Sequence, residues 1–132
     1  MMRTFTDSSE AQHEQVPWGT LAWFSNPNST GTENLVVVEV RFDPDSGHNF
    51  HKHPNQEEVI YVVEGEIEQW VGTEKRTLRA GDSAFISKDE VHASFNERDR
   101  AAKILAILGP SIGQDGYELV DVSEEEPWAS IR

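Results

Sequence analysis

"HNFHKHPNQEEVIYVVEGE", residues 48–66, carries three histidines within six positions, two adjacent glutamates and an apolar run that ends in Glu-Gly. The chain has only five histidines in 132 residues, so this concentration needs a reason. In a β-strand residues i and i+2 share a face, so His51 and His53 project together while Phe50 and Lys52 point away. Glu58 opens the next strand with Ile60 and Val62 on its face. Val59, Tyr61 and Val63 form the other face, and two apolar sides imply a strand covered on both. Glu64-Gly65 suits a two-residue hairpin turn with positive φ at the glycine. That turn predicts pairing of Val62 with Ile67, Ile60 with Gln69 and Glu58 with Val71, which sets Gln69 among inward apolar side chains.

A later strand, Val91 to Phe95, repeats the logic: His92, Ser94 and Asn96 share one face, Ala93 and Phe95 the other. An isolated His-x-His pair is most often a solvated surface feature. Here it is followed by a glutamate leading a strand and joined by a third histidine elsewhere in the chain. His51, His53, Glu58 and His92 are therefore the candidate metal ligands, with Glu57 as an ordinary exposed carboxylate. Three neutral imidazoles and one carboxylate suit a divalent transition metal ion, Fe, Mn, Ni, Co, Cu or Zn. On an octahedral ion two positions remain for water or substrate.

Outward from this stretch, apolar residues recur with period two in short runs separated by turn signals, which points to an all-β sandwich or barrel. The strands are expected at 21–24, 34–42, 50–53, 58–63, 66–71, 76–79, 83–86, 91–95, 102–108 and 117–122. Residues 1–15 form a polar N-terminal segment expected to be mobile, residues 16–122 the barrel domain, and residues 123–132 an acidic tail whose Trp128 can dock on the barrel or on a neighbour. The length suffices for one domain with a real core, and the absence of cysteine excludes disulfides, thiolate metal sites and cysteine nucleophiles. A net charge of −13 without a basic cluster argues against nucleic acid. No apolar stretch has the length of a membrane span, so the reading is a soluble, cytoplasmic protein without a membrane partner.

These residues resemble the two sequence motifs of the cupin superfamily. The first is matched by "DSGHNFHKHPNQEEVIYVVEG" through His51, His53, Glu58 and Gly65, with Asp45 where the motif's leading glycine falls. The second is matched by "GDSAFISKDEVHASFN" through Gly81, His92 and Asn96, with Ser87 replacing proline and Asp89 replacing glycine. The departures fall on turn residues and leave the ligand set intact. The resemblance spans roughly Asn34 to Leu108. It implies a double-stranded β-helix, a small jelly-roll-like barrel with the metal at its mouth, and a single-domain cupin of a kind commonly found as a homodimer. Trp70, expected outward beside Tyr61 and Val63, is a candidate for that interface, as is packing of the opposite sheet.

Such a fold hosts enzymes and non-catalytic binding modules alike, so function must come from the pocket. The expected pocket wall is apolar, with Ile60, Val62, Ile67, Val71 and one face of residues 35–40, and with Gln69 as its polar member. His48, just ahead of the ligand strand, can reach the mouth. No inward basic residue is evident to clamp a phosphate or second carboxylate. Serine hydrolase chemistry is excluded because Ser87 and Ser94 lack a His-Asp partner free of metal duty. Two readings stay open: an enzyme acting on a small dicarbonyl, phenolic or carboxylate substrate by oxygen-dependent cleavage or metal-assisted enolisation, and a module that stores or senses a metal or small ligand without turnover.

Overall fold

Strand β3 (Val36–Phe42) buries Val36, Val38, Val40 and Phe42 and turns Val37, Glu39 and Arg41 outward, the period of a sheet packed on one side. The same alternation repeats across a computed structural model of the chain, which describes residues 2–132. The other strands are β1 (Gln12–Val16), β2 (Gly19–Ser25), β4 (Ser46–Lys52), β5 (Glu57–Glu64), β6 (Glu66–Val71), β7 (Glu74–Arg79), β8 (Ser83–Ile86), β9 (His92–Asn96), β10 (Ala102–Gly109) and β11 (Val120–Asp121). A single helical turn, α1 (Trp128–Ile131), follows. They form two antiparallel sheets, ordered β1-β2-β3-β10-β5-β8 and β11-β4-β9-β6-β7. This is the double-stranded β-helix expected from the motifs.

The expected hairpin between β5 and β6 does not form. β5 pairs with β10 and β8, whereas β6 pairs with β9 and β7. The Glu64-Gly65 corner carries the chain from one sheet to the other, and Gly65 is required there. Its φ is +78°, and a Cβ would lie 3.1 Å from the Ala101 carbonyl oxygen. Ile60, Val62 and Ile67 still meet in the core, but across the gap between sheets rather than as ladder partners. Gln69 consequently sits opposite Ser94 and Arg76.

Three further expectations are corrected. Residues 1–15 are not simply a polar lead-in: Ala11 is buried, and Gln12–Val16 pair with β2, because a sheet edge supplies the hydrogen bonds that a polar strand needs. Of residues 117–122 only Val120 and Asp121 are strand. Val59, Tyr61 and Val63 are not covered; they are 36%, 43% and 46% exposed on the outer face of the six-stranded sheet. No helix among the described residues is long and apolar enough to cross a membrane.

The outer face of the five-stranded sheet behaves differently. Trp70 points outward there but is buried, edge-on to Phe50, in a second apolar cluster with Val91, Ala93, Phe95 and Val122. The C-terminal segment closes this cluster. Trp128 and Ile131 pack on it, and Arg132 lies over the Phe95 ring at 3.7 Å while bonding Glu68 and Glu97. Trp70 is thus held within the chain by its own tail. Trp128→Ala should cost about 1–3 kcal/mol, the range for removing a large, partly buried apolar side chain. Urea unfolding checks this, and an unchanged midpoint would mean that the cluster closes without the tail.

Candidate metal centre

Each candidate histidine is positioned by its own strand. His51 ends the inward run of β4, His92 begins β9 directly opposite it, and His53 follows one residue beyond β4. All three are buried, and their ligand-capable nitrogens lie within 4.8 Å of one another. The other nitrogen of each ring faces a backbone carbonyl: Nδ1 of His51 at 2.6 Å from Asn49 O, of His53 at 2.7 Å from Glu118 O, and of His92 at 3.0 Å from Glu90 O. A carbonyl oxygen only accepts, so each Nδ1 carries a proton, and in the neutral ring each Nε2 presents the lone pair. Three imidazoles are thereby held in one tautomer, the arrangement that metal-binding histidines require.

Glu58 completes the group from β5. Its Oε1 lies 2.9 Å from His92 Nε2 and 3.3 Å from His53 Nε2. A neutral ring that donates through Nδ1 has no second hydrogen for Glu58, so carboxylate and lone pair face each other. Both Glu58 Oε1 and His92 Nε2 are buried with no hydrogen-bond partner. Leaving two such acceptors together is costly unless a cation or a proton stands between them. The donor set therefore fits a divalent ion, with His51, His53, His92 and Glu58 as the residues that could hold it.

The proton affinities of the metal-free cluster follow from the same geometry. Burial alone pushes the Glu58 carboxyl up, but His53 and His92 beside it outweigh this and hold it well below the usual carboxylate range. Burial likewise pulls His53 down, and the Glu58 carboxylate more than offsets it, leaving His53 above the ordinary imidazole value. His51 is pushed well below that value by burial, then by the neighbouring His48.

His48 reaches the mouth as expected. Its ring is stacked between Trp18, centroids 4.5 Å apart, and His51 at 3.7 Å. Burial and then the nearby His92 lower its pKa to about 4, so it is neutral at physiological pH. The pocket that contains His48, His51, His53 and Glu58 has a volume of about 230 Å³. Its walls are mostly apolar, with Trp18, Leu21, Trp23, Val38, Leu108 and Tyr117 prominent, and Glu14, which accepts from Trp23 Nε1 at 3.1 Å, is an acidic member. No lysine or arginine is among them.

The remaining expected pocket residues lie elsewhere. Ile60 and Val62 are in the main core, outside this pocket's lining. Gln69 is buried away from it, accepting from Ser94 Oγ at 2.6 Å and donating to Trp70 O. Gln69 shares the five-stranded sheet with the histidine strands, but its ladder partner on β9 is Ser94 while Val71 pairs with His92, so its amide is spent on Ser94 away from the cluster. Missed were Trp18 and Trp23, whose segment pairs beside the barrel mouth, and Tyr117, which sits in a loop. For Trp23 the alternation Leu21, Trp23 was a usable signal; for Tyr117 there was none.

The motif departures also have a structural answer. Asp45 and Asp89 stand where the cupin motifs carry glycine, and among the described residues they are the two non-glycine residues with positive φ, +52° and +63°. Aspartate tolerates this region better than most side chains. Both positions thus hold a left-handed backbone of the kind that glycine adopts readily.

The cupin domain family model matches residues 38–108, more than half of the chain. The chain belongs to the cupin family. It is 30% identical over 93 residues to the pectin degradation protein KdgF of Dickeya dadantii, covering 70% of this chain and 79% of that protein. It is 27% identical over 124 residues to the polyketide synthase CurC of Streptomyces cyaneus, covering 90% and 80%. Among solved structures, KdgF from Halomonas sp. superposes with a TM-score of 0.72 at 23% identity, covering 83% of this chain and 94% of that one.

His51→Ala, His53→Ala and His92→Ala should each reduce bound metal to under about a tenth of the wild-type content while the barrel persists, because the core does not depend on the ion. Plasma mass spectrometry with circular dichroism reads both. Lowering the pH from about 8 to about 5.5 should weaken metal binding, since protons compete for the imidazoles and His53 holds its proton more tightly than a free ring does. A pH-independent dissociation constant would remove the histidines as ligands.

Proposed function

We propose that this cupin is a mononuclear metal-dependent enzyme acting on a small, planar, uncharged substrate of dicarbonyl type, by metal-assisted enolisation. The carrying observation is the pocket: a slot of about 230 Å³ between Trp18, Trp23 and Tyr117 that opens directly on the histidine cluster. Trp23 and Tyr117 stand with ring centroids 5.3 Å apart, and Tyr117 is 5.8 Å from His53. Such walls favour a flat conjugated ring over a hydroxylated sugar. A divalent ion held by His51, His53, His92 and Glu58 would supply a Lewis acid for a substrate oxygen.

The protein's own side chains do the rest. The apolar walls displace water around the bound ring, which strengthens every polar contact at the mouth. His48 makes no hydrogen bond to the protein among the described residues, so its ring nitrogens remain available to a substrate hydroxyl or carbonyl. Stacking on Trp18 and His51 fixes its plane. The similarity to a protein named a polyketide synthase agrees with a conjugated, oxygenated substrate. A pectin-derived sugar acid, the chemistry suggested by the name of the other relative, would bring a carboxylate into a wall without a lysine or arginine.

The test is hydrogen–deuterium exchange at the acidic C–H of aryl 1,3-diketones, followed by NMR with metal-reconstituted protein. Exchange above the buffer rate is expected, abolished in His51→Ala and with KM raised about tenfold or more in Trp23→Ala, from the lost stacking surface. Saturable binding without exchange or any oxygen uptake would support the non-catalytic binding module instead. Turnover of an unsaturated uronic acid with no response to the diketones would overturn the substrate reading.

A further inference from the structure

The loop between β10 and β11, residues 110–119, supplies Tyr117 and Leu119 to the pocket wall. It also supplies the Glu118 carbonyl that accepts from His53 Nδ1 at 2.7 Å. One segment thus shapes the pocket and fixes the tautomer of a ligand. What holds the segment is Gln56, a polar side chain only 1% exposed. Its Nε2 donates to Pro110 O at 2.7 Å and to Gly116 O at 2.9 Å, and its Oε1 accepts from Glu118 N at 3.1 Å. Both amide hydrogens and one acceptor site are committed to this loop. The last bond ends on the same residue whose carbonyl orients His53. Glu118 is also tied through its carboxylate, which accepts from Asn55 N and Nδ2 at 3.0 and 2.6 Å, but those contacts are exposed.

We propose that Gln56 is a positioning residue that latches the 110–119 loop onto the histidine cluster, so that docking of the pocket wall and binding of the metal ion reinforce each other. The inference rests on the metal-binding reading given above. The physical link is short: release of the Gln56 amide frees the Glu118 peptide, the Glu118 carbonyl leaves His53 Nδ1, and the ring loses the bond that holds its Nε2 toward Glu58 and His92. By reciprocity, an ion that holds Nε2 in place favours the docked loop by the same factor that docking favours the ion. A glutamine is suited to this role because it combines two donors with an acceptor. A glutamate of the same shape would turn its second oxygen on the carbonyls of Pro110 and Gly116.

Two measurements on the full chain test the latch, with Co²⁺ as the probe. Calorimetric titration should give Gln56→Glu a Co²⁺ affinity about 10- to 100-fold below wild type, the range for loss of a second-layer partner. Leu78→Ala, a core variant on β7 outside the pocket's lining, serves as the control for general destabilisation and should stay within about threefold. Limited chymotrypsin cleavage after Tyr117 reports loop opening in the wild-type protein, where no variant need fold. Saturating Co²⁺ should slow it at least about tenfold. The proposal is overturned if the wild-type protein binds Co²⁺ and cleavage is unaffected, or if Gln56→Glu binds Co²⁺ as tightly as wild type. Absence of binding by wild type to any of the six candidate ions would instead remove the metal reading itself, and the latch with it.

Discussion

A buried carboxylate oxygen facing buried imidazole lone pairs, with no donor between them, is the constraint around which this barrel is arranged. Glu58 Oε1 and His92 Nε2 stand 2.9 Å apart without a hydrogen-bond partner. Nothing in hydrophobic packing would bring such groups together, because burying them unpaired opposes folding. The main chain nevertheless enforces the arrangement. Three carbonyls, from Asn49, Glu90 and Glu118, occupy the three Nδ1 protons and leave the three Nε2 atoms to converge. The apolar core between the sheets supplies the stabilisation that tolerates this, and a bound cation would relieve it.

The two sheets are finished in opposite ways. The five-stranded sheet has its outer aromatic cluster closed by the chain's own C-terminus, with Trp128, Ile131 and Arg132 as the cover. The six-stranded sheet leaves Val59, Tyr61 and Val63 beside solvent. Antiparallel sheets accept one solvated face, so neither arrangement conflicts with the fold. The mouth lies where β1 and β2 extend the larger sheet and where the 110–119 loop returns to pair β11 with β4.

The site also shows how chemistry is divided between rigid and added parts. The candidate ligands come from or beside the barrel strands β4, β5 and β9, whose registers are fixed by ladders on both sides. The pocket is shaped by what is built around them: the β1–β2 edge with Trp18 and Trp23, and the loop with Tyr117 and Leu119. A scaffold of this kind can keep its ligands while changing its substrates, which is why pocket chemistry carries the functional argument here and fold likeness does not.

Period-two alternation, the His-x-His spacing and a glutamate leading the next strand were legible because strand geometry converts sequence parity into a shared face without reference to any partner. That parity determined the all-β architecture, the shared face of His51 and His53 and the inward direction of Ile60 and Val62, while the gathering of Glu58 and His92 with them was implied by the resemblance to the cupin motifs. Parity did not determine which strand lies beside which. A two-residue Glu-Gly corner is compatible with a hairpin or with a crossing between sheets, and only the competition of β10 and β8 for the edges of β5 decided for the crossing. Tertiary structure therefore decided that Gln69 leaves the pocket, that Tyr117 enters it and that Gln56 binds a loop more than fifty residues away. Those outcomes depend on hydrogen bonds between segments distant in sequence, and no local pattern encodes them.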